Sequence, residues 1–162
     1  MDDLSSTKGT VRVGGRAPDF YLEDQYGTIF RKSGVRGSRV LLSFFPQAWT
    51  EPSAAQLKVL EGHAPFFERE HVVAAGISTD PAPALKAWAD QIGIRTIPLL
   101  SDFWPHGQVS RLYGVFREKE GIPERAVVIL DAGHRVVLAR RYDPAEAPAI
   151  EDLLEVLRRS GR

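Results

Sequence analysis

Two near-continuous apolar runs, RVLLSFF (Arg39 to Phe45) and HVVAAGIS (His71 to Ser78), constrain this chain more than any other feature. Both are strand-length and rich in β-branched or aromatic residues, the pattern of strands covered on both faces. Between them, from Pro52 to about Glu70, Leu57, Leu60, Ala64 and Phe67 recur at helical spacing. Strands joined by such a crossover run parallel, because a parallel pair cannot be closed by a tight turn. The alternation continues. PAPALKAWADQIG predicts a helix stopped at Gly93, IPLLSD a short strand, and HGQVSRLYG a short helix ending at Gly114. RAVVIL and RVVLARRY, separated by Asp131-Ala132-Gly133, predict a hairpin, and DFYLEDQYGTIFRKS a second one turned by Tyr26-Gly27. AIEDLLEVLRRSG closes the chain as a helix, with acidic residues early and arginines late, which suits the helix dipole. A β-α-β-α order followed by a hairpin and a final helix is that of a thioredoxin-like α/β sandwich with a mixed central sheet.

Composition narrows the function classes. With 162 residues and 43% hydrophobic content, the chain suffices for one sizeable core. We expect a loose tail over residues 1–12 and a single domain over 13–162. Lys+Arg and Asp+Glu both number 21, so no net positive field favours nucleic acid or an anionic membrane surface, and neither partner is expected. No apolar run approaches a bilayer span. MDDLSSTKGT is polar and has no apolar core, so it does not read as a secretory signal, and the cytoplasm is the expected compartment. The chain has no cysteine, which removes disulfides, thiolate metal sites and thiol chemistry.

GGRAPDFYLEDQYG, LLSFFPQAWT, IPLLSDFWPHGQVSRLYGVF and GIPERAVVILDAGHRV, in this order, resemble the peroxiredoxins, most closely the one-cysteine alkyl hydroperoxide reductase E type. The resemblance covers about residues 13 to 141. The family signature is a proline, a threonine or serine four residues on, and the peroxidatic cysteine three further. Pro46 and Thr50 match, and the cysteine position is Ser53. The resemblance implies that Thr50 orients the peroxide, that Pro46 shields the pocket, and that Arg125 completes the constellation. It also implies a hydroperoxide substrate, a thiol reductant, a homodimer and no cofactor.

Ser53 breaks that chemistry. A thiolate at a helix N-terminus beside a cation attacks one peroxide oxygen while the other leaves. A serine hydroxyl stays un-ionised near neutrality, and a helix dipole contributes at most about 2 kcal/mol against that gap. It also has no counterpart of the recyclable sulfenic acid. Two histories lead to such a serine: a deliberate Cys→Ser exchange, or natural loss. Glu51 and Pro52 stand where the family has small or apolar residues, and Gln56 where it commonly has glutamate, which favours natural loss. Peroxidase activity is then expected only for a chain with cysteine at 53. The alternatives are a repurposed relative that binds a small polar or anionic ligand, or does non-thiol chemistry on a metabolite, and a non-catalytic interaction module.

Each candidate also has a structural reading. Ser53 with Gln56 fits a capping box behind Pro52. Thr50 and Pro46 could serve only the loop, and Arg125 could be a surface cation. Trp49 either lines the pocket mouth with Gln56 or packs on a neighbouring subunit. SDFWPHG, with His106, reads as packing or a dimer contact. A serine hydrolase is excluded, because Glu51 and Ala55 stand where the nucleophile elbow has glycines. His63, His71, His106 and His134 are scattered without metal-ligand spacing.

Overall fold

The computed structural model describes residues 11–161 in full and the backbone of Asp2 and Asp3. An eight-stranded mixed sheet runs in the order β1 (Asp2–Asp3), β10 (Val136–Arg141), β9 (Ala126–Leu130), β4 (Arg39–Phe44), β5 (Val72–Ser78), β6 (Leu99–Ser101), β2 (Tyr21–Glu23), β3 (Ile29–Arg31). As expected, β4 and β5 are parallel, while β9 joins β4 from the other side, antiparallel. The expected tail falls largely on residues outside those described; at its ends Asp2–Asp3 pairs with β10 and Val11 is buried.

Two apolar clusters cover the two faces, which gives the α/β sandwich read from the strand pattern. One collects Leu41, Phe45, Leu57, Leu60, Trp88 and Leu157 beneath the helices α1 (Glu51–Gly62), α3 (Ala82–Ile92) and α5 (Ile150–Arg159). The other collects Val40, Leu42, Phe44, Val128 and Tyr113 beside the short helix α4 (Gln108–Leu112). Side chains alternate along a strand, so Ser43 shares the face of Leu41 and Phe45 and looks toward α1. Gly76 on β5 allows that helix to sit close, since a Cβ there would stand 2.7 Å from Leu57 Cδ1.

One expectation is corrected. The helix foreseen over Pro52 to Glu70 is broken at His63 into α1 and α2 (Ala64–Arg69). Pro65 has no N–H to offer the Glu61 carbonyl, and its ring clashes with that carbonyl, so the helix cannot continue. The β9–β10 hairpin turns at Ala132-Gly133, as expected, and His134 follows in the left-handed region at φ 65°. Asp131 Oδ1 accepts from the amides of Gly133 and Arg135 at 3.0 and 2.9 Å and fixes the turn by side chain.

His134 is buried, and Lys32 Nζ donates to its Nδ1 at 3.1 Å from the 3₁₀ turn Lys32–Val35. Burial and then the Lys32 charge hold His134 below the ordinary imidazole pKa, with Arg36 acting in the same sense; the backbone of Val35 and Ser38 pulls only partly the other way. The unfolded chain therefore takes up a proton below about pH 6.5 that the folded chain refuses, and stability falls as pH drops through that window. Asparagine tolerates the left-handed backbone and can still accept from Lys32. We expect His134→Asn to lose less melting temperature than the parent between pH 7 and pH 5.5. Equal losses in paired thermal melts would refute the assignment.

Candidate active site

Ser53, Gln56 and Arg125 come together from three places in the chain. β4 leaves the sheet at Phe44 and the loop 45–50 turns into α1, with Thr50 as N-cap in extended conformation. Trp49 turns the corner with φ 67°, and its ring is largely exposed. Asp80, just beyond β5, anchors this loop: its Oδ2 accepts from the Ala48 amide at 2.9 Å and from Ser78 Oγ at 2.7 Å.

The capping-box expectation is corrected here. The helix begins at Glu51, which puts Pro52 second and Ser53 third, inside the first turn, where Ser53 cannot be the N-cap. Its hydroxyl turns inward instead. Ser53 is completely buried, and Arg125 Nη1 donates to its Oγ at 3.2 Å. The same Nη1 donates to Gln56 Oε1 at 2.6 Å. Gln56, one turn along, donates its own Nε2 to Ser43 Oγ at 2.6 Å and to the Phe44 carbonyl at 3.1 Å. Arg125 immediately precedes β9, next to β4, and its Nε and Nη2 donate to the Pro144 carbonyl at 3.2 and 2.9 Å. A chain of hydrogen bonds therefore ties α1, β4, β9 and the loop before α5 together through one guanidinium.

The electrostatics are unusual. Arg125 is 3% exposed, so the surface-cation reading is overturned. Among the described residues no carboxylate pairs with it, and every acceptor it meets is neutral. Burial alone pushes its pKa below the usual guanidinium range. Removing such a cation from water costs several kcal/mol. Neutral oxygens recover part of that cost, whereas an anion at Ser53 would recover more.

Thr50 does not join this cluster by a hydrogen bond among the described residues; its Oγ1 donates to the Gln47 carbonyl at 2.9 Å, the loop role. Pro46 and Thr50 are half-buried above Ser53 in the chain. Three contributors were missed. Ser43 was legible in principle as the one polar residue inside the apolar run VLLSFF. Asp80 offered only a loop position after a strand, and Pro144 acts through a backbone carbonyl that no side-chain pattern marks. No group of His, Cys, Asp or Glu able to hold a metal occurs among the described residues.

An α/β sandwich of this topology, with a buried arginine aimed at the first turn of the helix after the central strand, is a thioredoxin-like fold. Residues 13–139 match the AhpC/TSA family. Over 137 residues the chain is 44% identical to alkyl hydroperoxide reductase E of Mycobacterium bovis, covering 84% of this chain and 89% of that protein. It is 30% identical to peroxiredoxin-2 of Mus musculus over 133 residues, 76% of this chain and 66% of the relative. The crystal structure of peroxidoxin BcpB from Mycobacterium tuberculosis superposes with a TM-score of 0.81 at 28% identity, over 92% of this chain and 97% of that one. The chain belongs to the AhpC/TSA family and is a peroxiredoxin by descent and fold.

Gln56 carries more of the network than Ser53. Gln56→Ala leaves a buried guanidinium nitrogen and Ser43 each short of a partner, and should cost about 1–3 kcal/mol. Ser53→Ala removes one 3.2 Å contact while Gln56 keeps Nη1 occupied, and should cost clearly less. Urea unfolding of both variants ranks them, and the reverse order would overturn the assignment.

Proposed function

We propose that this chain is a cysteine-free peroxiredoxin-family protein that does not reduce peroxides by thiol chemistry and whose Arg125 site binds a small anion. The observation that carries this reading is the buried Arg125 without a carboxylate. A peroxidatic thiolate would supply negative charge at position 53, and a glutamate at position 56 would supply it beside Nη1. Here both positions hold neutral groups, and the guanidinium is left as a preformed anion receptor. Ser53 has no exposed surface, so an anion reaches Arg125 only by displacing a neutral partner, and formate is a probe small enough to do so. Thiol-dependent hydroperoxide reduction belongs to the same scaffold with sulfur at position 53.

One set of measurements tests both halves. The protein should leave hydrogen peroxide and organic hydroperoxides unconsumed with a dithiol present, and Ser53→Cys should consume them. Sodium formate should raise the melting temperature by mass action at an ionic strength where perchlorate does not. Gln56→Glu should melt higher than the parent and lose the formate response, because its carboxylate pairs with Arg125. Peroxide turnover by the parent sinks the first half; a formate response undiminished in Gln56→Glu sinks the second.

A homodimer is the second part of the reading, supported by an apolar face at the β2–β3 edge. Tyr21, Ile29, Phe103 and Leu112 are exposed there, and Trp104 is 80% exposed beside clefts of about 440 and 460 Å³. Projecting aromatic rings and receiving grooves on one surface are what an isologous contact requires. Trp104→Glu should shift the species seen in sedimentation velocity from dimer to monomer; a parent that sediments as a monomer at micromolar concentration would exclude this part.

A further inference from the structure

The sequence has no net charge, yet the fold gathers positive charge at one pole without ion pairs among the described residues. Arg16 and Arg135 are directly opposed in an isolated antiparallel bridge. Both are exposed. Like charges facing one another across strands are destabilising, and here the segment 14–17 is nevertheless bonded onto the hairpin. The Gly14 and Ala17 amides reach the Val136 and His134 carbonyls at 2.8 and 3.2 Å, and Arg135 Nη1 donates to the Gly14 carbonyl at 3.0 Å. Arg36 stands at the same pole, because the next residue, Gly37, donates its amide to the Ala132 carbonyl at 3.0 Å. Arg12 lies in the turn closed by the Gly15 amide on its carbonyl at 2.9 Å. Beneath them sits the buried Lys32–His134 contact.

Little negative charge answers this. The two carboxylates nearby spend an oxygen on the backbone: Asp19 Oδ1 accepts from the amides of Phe20 and Ser33, and Asp131 Oδ1 from those of Gly133 and Arg135. Among the described residues the ion pairs use Arg39, Lys86, Arg111, Arg117, Arg141 and Arg159, and none uses Arg12, Arg16, Arg36 or Arg135. After burial, the charge of Arg36 lowers the proton affinity of both Lys32 and His134, and at Lys32 the Asp19 carboxylate opposes it.

We propose that the Arg16–Arg135 bridge, with Arg36 beside it, is a binding site for a compact polyanion of the polyphosphate kind. One multiply charged anion between the opposed guanidiniums turns their repulsion into shared attraction, and guanidinium forks suit phosphate oxygens. The site is separate from the buried Arg125, which has no room for such a molecule, and does not depend on the reading given for it.

Sodium tripolyphosphate is the probe, with KCl at matched ionic strength as its control and ATP as a parallel arm. Tripolyphosphate should raise the melting temperature beyond KCl and bind in calorimetry with an affinity that falls as KCl is added. Arg16→Gln and Arg135→Gln should each weaken binding by about tenfold or more. Arg16→Gln should melt at or above the parent in the absence of phosphate, because it relieves the like-charge contact, whereas Arg135→Gln also gives up the bond to the Gly14 carbonyl. An equal response to ATP assigns recognition to the phosphates alone; a stronger one adds a nucleoside contact. The proposal fails if KCl reproduces the gain, or if the gain over KCl survives in both variants, an adventitious screening effect only.

Discussion

A buried guanidinium that must find oxygens organises the centre of this molecule. Arg125 cannot be left in the apolar interior without acceptors. Its position before β9 places it against β4 and α1, where only a few oxygens are available. Gln56 supplies one and passes the restraint on to Ser43 and Phe44, so the register of α1 over the central strands depends on the same bond that neutral Gln56 makes to the cation. Pro144 supplies another and holds the loop leading into α5. The first turn of α1, the strand beneath it and the connection above it are therefore determined together.

A serine at position 53 is compatible with this network. A hydroxyl at position 53 accepts from Arg125, fits the buried volume and sits in the first helical turn without strain. It supplies no charge. The glutamine at position 56 keeps the geometry of an acceptor but likewise drops the charge. The arrangement is hydrogen-bonded throughout its reach, and its buried cation meets only neutral acceptors among the described residues.

Most of the fold was legible because its signals are local and redundant. RVLLSFF and HVVAAGIS announce strands covered on both faces, and all six residues of β4 are buried. Gly93 ends α3 in a left-handed conformation, as its position after the helical period implied. The failures share a different character. Pro65 lies within a convincing apolar period, and the period outweighed the proline until the backbone showed the break. Ser53 looked like a helix cap, but it lies third in α1 and its hydroxyl turns inward to Arg125. In both cases a specific steric or hydrogen-bond demand overrode a statistical one.

The site was legible to the degree that it is made of side chains in a known order. Ser53, Gln56 and Arg125 were all singled out and do meet. The resemblance brought Arg125 to the Ser53 position, but its bond to Gln56, about 70 residues away, was not foreseen, since capping pairs Gln56 with Ser53 along one helix. Long-range pairing of a buried charge depends on topology, and topology enters sequence reasoning only after the strands are ordered. The same limit hid the arginine pole: Arg16 and Arg135 are unremarkable at their separate places in a chain with balanced charges. Only the bridge between the N-terminal segment and the β9–β10 hairpin turns two ordinary surface residues into a repulsive pair. Net charge thus constrains partners only when the fold distributes it evenly, and this fold does not.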